Sequence, residues 1–137
     1  MTKCYLDSNV LVYYKNELSE SNLKAKKIIS SLLKKNVAFC ISSLVLDEFL
    51  HAIIREKLVV LKQTLSEVLD LPKLEIINAP IEKQVHLKIV DIMEEYTLRP
   101  RDAYHLLICL ENNIDGFATF DQDFKKVFKA KVLEKAL

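Results

Sequence analysis

Short apolar runs alternate with longer stretches of helical periodicity along this chain, and the alternation predicts its elements. Residues 3–7 (KCYLD) are a brief apolar run ending on a carboxylate, consistent with a buried strand, and Ser8 and Asn9 can cap a short helix through Tyr14. Residues 20–35 predict an amphipathic helix: Ile28, Ile29, Leu32 and Leu33 share one face, while Lys24, Lys26, Lys27, Lys34 and Lys35 stay wet. Asn36 ends it. Residues 37–41 (VAFCI) predict a second buried strand, after which Ser42 and Ser43 offer an N-cap for a helix to about Lys57. A helix over Val60 to Leu69 stops before Pro72, and residues 74–78 (LEIIN) predict a third strand. Pro80 then starts a helix with Ile81, Val85, Ile89 and Met93 at helical spacing.

The stretch from Leu98 to Phe124 organises the rest. Pro100 starts a helix over residues 101–112 that is apolar almost all round (Ala103, Leu106, Leu107, Ile108, Cys109, Leu110) and is therefore expected to be buried. A turn at Asp115 and Gly116 leads into a fourth strand over 116–119, followed by an acidic turn, a short helix over 122–128 and a fifth strand at 131–133. Strands alternating with helices predict a three-layer α/β/α fold around a central parallel sheet of four to five strands.

Composition narrows the function. A chain of 137 residues, half of them apolar and 28% charged, is expected to form one domain over 1–137 with a sizeable core, which excludes disorder. The net charge of +1 gives no global field for nucleic acid, so any such partner must meet a local patch. With Gly116 the only glycine, the GxGxxG dinucleotide turn and the P-loop are excluded, because both need several close backbone approaches. Cys4, Cys40 and Cys109 are odd in number, lie inside apolar segments and match no zinc spacing. They read as buried reduced thiols of a cytoplasmic protein. No signal peptide or membrane-crossing run is visible.

The candidate chemistry is acidic. Singly, Asp7, Asp102 and Asp121 read as helix caps, and Asp123 as a first-turn acid. Glu48 differs: it lies in mid-helix among Leu46, Phe49 and Leu50, and either it or Asp47 can point inward, but not both. Jointly, topology favours a site, because ligands of open α/β sheets bind beyond the carboxyl ends of the strands. Asp7, Glu48 and Asp121 follow strands one, two and four, whereas the placement of Asp102 depends on the fold. Four carboxylates in one cleft repel unless cations hold them, and hard oxygen donors suit Mg²⁺ or Mn²⁺. His51 and His105 sit three residues after Glu48 and Asp102, the spacing of di-iron bundle ligands, but the strand content argues against a bundle. They are expected to pack beside the carboxylates or hydrogen-bond to them, and His86 carries no signal. Arg99 and Arg101, two of the only three arginines, flank Pro100 and can grip substrate phosphate, whereas Lys125 and Lys126 read as solvated charge.

Four pieces of the chain carry a resemblance. They are Tyr5-Leu6-Asp7-Ser8-Asn9-Val10-Leu11, Ser42 to Leu50 with Glu48, Arg101-Asp102-Ala103, and Thr119-Phe120-Asp121-Gln122-Asp123-Phe124. In this order and spacing, which covers nearly the whole chain, they resemble the PIN-domain ribonucleases found as toxins of VapBC toxin–antitoxin pairs. The resemblance implies a sheet in which strands one and four are neighbours, with Asp7, Glu48, Asp102 and Asp121 as the catalytic, metal-binding quartet. It makes Asp123 an accessory metal-binding acid and Asn9 and Thr119 accessory polar residues. It also implies cleavage of single-stranded or looped RNA and an antitoxin protein as partner. Where relatives often carry small residues after the third acid, this chain has Tyr104, His105 and Leu106.

Two rival readings follow from the same residues. One is a receiver-like phospho-acceptor domain, disfavoured because the first strand ends in one acid and the third in none. The other is a catalytically inactive PIN scaffold, against which the intact quartet speaks. The segment from Leu58 to Leu71 holds more apolar residues than one helix face needs. It is expected to close a homodimer, receive an antitoxin peptide or thicken the core.

Overall fold

The computed structural model describes residues 1–57 and 60–136. Its strands are β1 (Lys3–Leu6), β2 (Ala38–Ile41), β3 (Leu74–Ile76), β4 (Gly116–Ala118) and β5 (Glu134–Lys135). All pair in parallel, in the order β3-β2-β1-β4-β5. The helices between them are α1 (Ser8–Lys15), α2 (Asn22–Lys34), α3 (Ser43–Arg55), α4 (Leu61–Leu69), α5 (Lys83–Tyr96), α6 (Pro100–Glu111) and α7 (Lys125–Lys129). A 3₁₀ turn, Gln122–Phe124, precedes α7.

Successive residues Cys4, Tyr5 and Leu6 of β1 face opposite sides of the sheet, yet each is fully buried. Helices therefore cover both faces, which is why β1 reads as a continuous apolar run and not an alternating one. β1 pairs with β2 through Tyr5 and Cys40 and with β4 through Tyr5 and Phe117. The chain steps outward from β1 to β2 and β3 on one side, then returns to β4 and β5 on the other. The switch in strand order falls between β1 and β4, so the crevice beyond their carboxyl ends is where this class of sheet builds its sites.

The sequence places the elements better than it places their ends. α5 starts at Lys83, not Pro80, because the Pro80 carbonyl accepts the Nε2 proton of His86 at 2.8 Å and lies outside the helix. Ile81 is accordingly 94% exposed instead of on the buried face. β3 stops at Ile76, at the sheet edge, while the Asn78 side chain accepts from Ser43 N–H at 3.1 Å. Lys131 takes left-handed backbone (φ 58°), so the fifth strand is displaced from 131–133 to Glu134–Lys135. The turn residue after α6 is Asn113 (φ 52°), whereas Gly116 opens β4. A Cβ at Gly116 would lie 2.4 Å from the Met1 sulfur, so the Met1 side chain packs into the space the glycine leaves. Leu33 sits at the edge of the α2 face, 36% exposed.

The three cysteines are free and buried. Of the apolar segment at 58–71, Leu58 and Val59 lie outside the described residues. Val68 and Leu71 join the core, and Val60, Leu61 and Leu69 are exposed. Among the described residues six that are not glycine, Asn36, Lys57, Lys73, Thr97, Asn113 and Lys131, adopt left-handed backbone, one after each helix from α2 to α7. Among the described residues no helix is long and apolar enough to cross a membrane.

Candidate metal centre

Asp7 follows the last residue of β1 and is tied to the neighbouring strand, its N–H donating to Ala118 O at 3.0 Å. Its carboxylate caps α1 by accepting from Ser8 N–H at 2.8 Å. The other oxygen accepts from the Thr119 hydroxyl at 2.6 Å and the Asn9 amide at 3.2 Å. Thr119 Oγ1 in turn accepts from Asp121 N–H at 2.9 Å, and Asn9 Oδ1 accepts from Phe120 N–H at 3.1 Å. Asn9 and Thr119 thus stitch the loop after β4 to the end of β1, which brings Asp121 beside Asp7. Asp7 is only 6% exposed, and burial raises its pKa, opposed first by nearby His105 and then by the Thr119 and Ser8 hydrogen bonds.

α3 decides between its adjacent acids. Asp47 points to solvent, 3.5 Å from His51, whereas Glu48 turns inward. Glu48 Oε1 accepts from His105 Nε2 at 2.6 Å, and Oε2 lies 3.6 Å from the Arg101 guanidinium. Oxygen atoms of Asp7 and Glu48 and a ring nitrogen of His105 all lie within 4.8 Å of one another. His105 Nδ1 is engaged as well, 2.7 Å from the Tyr5 hydroxyl, so the carboxylate oxygens, each with a further lone pair, are the donors that can still face a cation.

The outer acids form a second group: Asp102, Asp121 and Asp123 offer oxygen atoms within 4.8 Å of one another. Asp121 caps the 3₁₀ turn by accepting from Asp123 N–H at 2.8 Å. Capping does not account for Asp102: it sits in the first turn of α6, a helix whose N-cap, Arg99, makes no side-chain capping bond. Asp102 is half-buried, and its pKa is pushed up to about 6 by burial, then by the charges of Asp121 and Asp7. One open cleft of 620 Å³ joins the two groups, lined by Asp7, Glu48, Asp102 and Asp121 with Arg99 and Arg101 on its rim. Oxygen donors and like charges held in forced proximity fit a hard divalent cation.

The sequence profile of the PIN domain family matches residues 4–129. This chain belongs to the PIN domain family. Ribonuclease VapC2 of Methanocaldococcus jannaschii is 26% identical over 147 residues, covering 96% of this chain and 93% of its own length. Among solved structures, VapC20 of Mycobacterium tuberculosis, a sarcin–ricin-loop-cleaving toxin, superposes with a TM-score of 0.69. It is 16% identical and covers 90% of this chain and 94% of its own. A chain of VapBC2 from Rickettsia felis, a complex bound to a promoter DNA fragment, has a TM-score of 0.63 at 24% identity and covers 97% and 98%. At these identities the structural likeness is one of PIN fold.

The expected histidine–carboxylate contacts are present, His105 on Glu48 and His51 beside Asp47, but the sequence reading does not reach Tyr5 and Ser42 behind His105. Tyr5, in a strand that otherwise reads as apolar, bonds His105 at 2.7 Å and the Ser42 hydroxyl at 2.6 Å. The available signal was general: a tyrosine in a buried strand must find a partner for its hydroxyl.

Proposed function

We propose that this PIN domain is a Mg²⁺- or Mn²⁺-dependent endoribonuclease of the VapC toxin type, hydrolysing phosphodiester bonds of single-stranded or looped RNA. One observation carries the reading: four carboxylates from four separate segments line one cleft, with Asp102 raised to about 6 by burial and then by the charges of Asp121 and Asp7. A cation held there would supply positive charge to the scissile phosphate and acidify a bound water.

The chain's own residues divide the work. Asp7, Asp102 and Asp121 hold the cation or cations, Asp123 adds a carboxylate on the exposed side, and Glu48 completes the cage or orients the attacking water. Asn9 and Thr119 keep Asp7 and Asp121 in register. Arg99 and Arg101, on the rim, are placed to grip flanking phosphates. The name of VapC2 and the toxin and toxin–antitoxin identities of the similar structures support a toxin function, with an antitoxin protein as the natural inhibitor. A homodimer through the exposed Val60, Leu61 and Leu69 is the assembly we assign to it.

The receiver-like alternative loses support from the sheet. Receiver domains have the strand order 2-1-3-4-5, with strand three beside strand one. Here β3 is an edge strand, two places from β1, and β4 takes the position beside β1. The test is Asp7→Asn, which keeps a side-chain oxygen for capping α1. RNA cleavage with Mn²⁺ should fall by about 10³-fold, the scale of several kcal/mol of transition-state charge stabilisation, with an unchanged circular dichroism spectrum. Wild-type cleavage by the pure variant would overturn the assignment.

A further inference from the structure

We propose that His105, Tyr5 and Ser42 are positioning residues that lock the Glu48 carboxylate toward the cleft and so set how tightly the site holds a divalent cation. The inference rests on the metal-site reading above. Four hydrogen bonds run in series from the backbone to the cleft: Val45 N to Ser42 Oγ at 3.2 Å, Ser42 Oγ to Tyr5 Oη at 2.6 Å, Tyr5 Oη to His105 Nδ1 at 2.7 Å, and His105 Nε2 to Glu48 Oε1 at 2.6 Å.

Their direction is fixed at both ends. An amide N–H only donates, so Ser42 Oγ accepts from Val45, and a carboxylate only accepts, so His105 Nε2 carries a proton. Between them, Ser42 donates to Tyr5 and Tyr5 donates to Nδ1, and every proton has one acceptor. The other neutral tautomer would turn the Nε2 lone pair against the Glu48 carboxylate. It would also strand the Ser42 hydroxyl proton, because Ser42 Oγ has no partners among the described residues beyond Val45 N and Tyr5 Oη. The backbone at the start of α3 thus dictates that the proton sits on Nε2, the ring nitrogen that faces Glu48.

The setting makes the relay stiff. Tyr5 and Ser42 are fully buried and His105 is 1% exposed. The Tyr5 ring lies between His105 and Phe117, each with its ring centroid 5.5 Å away. β1, the β2–α3 junction and α6 each contribute one member, so the Glu48 side chain is referenced to three elements at once. Glu48 needs this more than the aspartates do, because its extra rotatable bond must be frozen for its oxygens to serve the cleft. The only other group on its carboxylate among the described residues is the exposed Arg101, at 3.6 Å.

The test measures Mn²⁺ affinity by titration calorimetry on the full chain, with melting temperature in EDTA as the control for packing. Partners of this kind change metal affinity by about 10- to 100-fold. Tyr5→Phe, which deletes one oxygen and frees the tautomer, should weaken Mn²⁺ about 10-fold, and His105→Leu by up to about 100-fold. His105→Gln, which retains an N–H toward Glu48, should recover to within about threefold of wild type. A packing role would rank Leu at or above Gln, so the order of these two separates positioning from packing. Asp7→Asn distinguishes the two levels of the reading. If Asp7→Asn loses Mn²⁺ while Tyr5→Phe and His105→Leu bind it as wild type does, the relay proposal is wrong and the metal site stands. If Asp7→Asn also binds as wild type does, the metal site itself is wrong. Should His105→Leu not fold, Tyr5→Phe alone decides.

Discussion

Asp115 and Asp102 stand at opposite ends of the same sheet, with α6 running between them, and their surroundings are reversed. Asp115, at the base, accepts from Thr2 N–H at 2.9 Å, Lys3 N–H at 2.9 Å and the Thr2 hydroxyl at 3.2 Å, with the Met1 amino group 4.0 Å away. Burial works against its ionisation, but these donors outweigh it and hold the carboxyl below its usual range. Asp102, at the top, faces Asp121, Asp7 and Asp123, and burial with their charges pushes it up to about 6. An acid that belongs to the fold collects donors from the fold. Asp102 instead faces other carboxylates, an arrangement that fits the divalent cation proposed above.

The largest expected contrast is in catalysis. Asp102→Asn should reduce Mn²⁺-dependent RNA cleavage by at least about 10²-fold and shrink the rise in melting temperature on adding Mn²⁺, while the melting temperature in EDTA stays level or climbs. An Asp102→Asn protein that is destabilised in EDTA yet cleaves normally would erase the distinction between the two ends. Asp115→Ala should do the reverse. It removes a charged acceptor from three donors at a half-exposed position, worth about 1–2 kcal/mol, so the melting temperature should drop by about 5 °C. Turnover per folded molecule should match wild type, and impaired turnover would show that the base of the sheet also feeds the cleft.

A smaller effect tests both ends together through pH. Because Asp102 titrates near 6 in the folded chain, above the ordinary carboxyl value of 3.8, the metal-free fold binds more protons than the unfolded chain in that interval. It therefore loses stability as pH rises through the interval. Asp115 has the opposite sign: its contribution is present above its unfolded pKa and disappears as pH falls through its lowered folded pKa. Melting temperature in EDTA should peak near about pH 4–5 and fall by about 3 °C by neutrality, the shift being discounted for the half-exposed Asp102. Saturating Mg²⁺ should remove the fall. A metal-free profile that climbs to neutrality would contradict the assigned repulsion.

Sequence reading recovers the order of strands and helices because run length and periodicity are local properties. It recovers Asp7 and Asp121 for the same reason: each follows a short apolar strand. It leaves Glu48 and Asp47 undecided, since neighbouring positions on a helix differ by angle alone and the packing of α3 selects between them. Asp102 is out of its reach. Only the return of the chain to β4 beside β1 carries the first turn of α6 over the crevice, and that is a property of strand order. The start of α5 was misplaced because Pro80 is a common first helical residue, and nothing local reveals that its carbonyl is taken by His86. His105 is legible by its spacing from Asp102, but Tyr5 and Ser42 escape for a different reason: they lie far from it in the chain, and neither stands out from its own neighbours.

The six left-handed residues that follow the helices carry a thermodynamic consequence. Glycine at any one of them would relax the native backbone by about 1 kcal/mol. It would also enlarge the unfolded ensemble by nearly as much, so a chain with one glycine forgoes almost nothing. Thr97 (φ 54°) is the exception, being β-branched and the C-cap of α5, two residues ahead of Arg99. A β-branched side chain is the most strained of the six in this region, so the joint between α5 and α6, at the edge of the crevice, is the one that stores backbone strain.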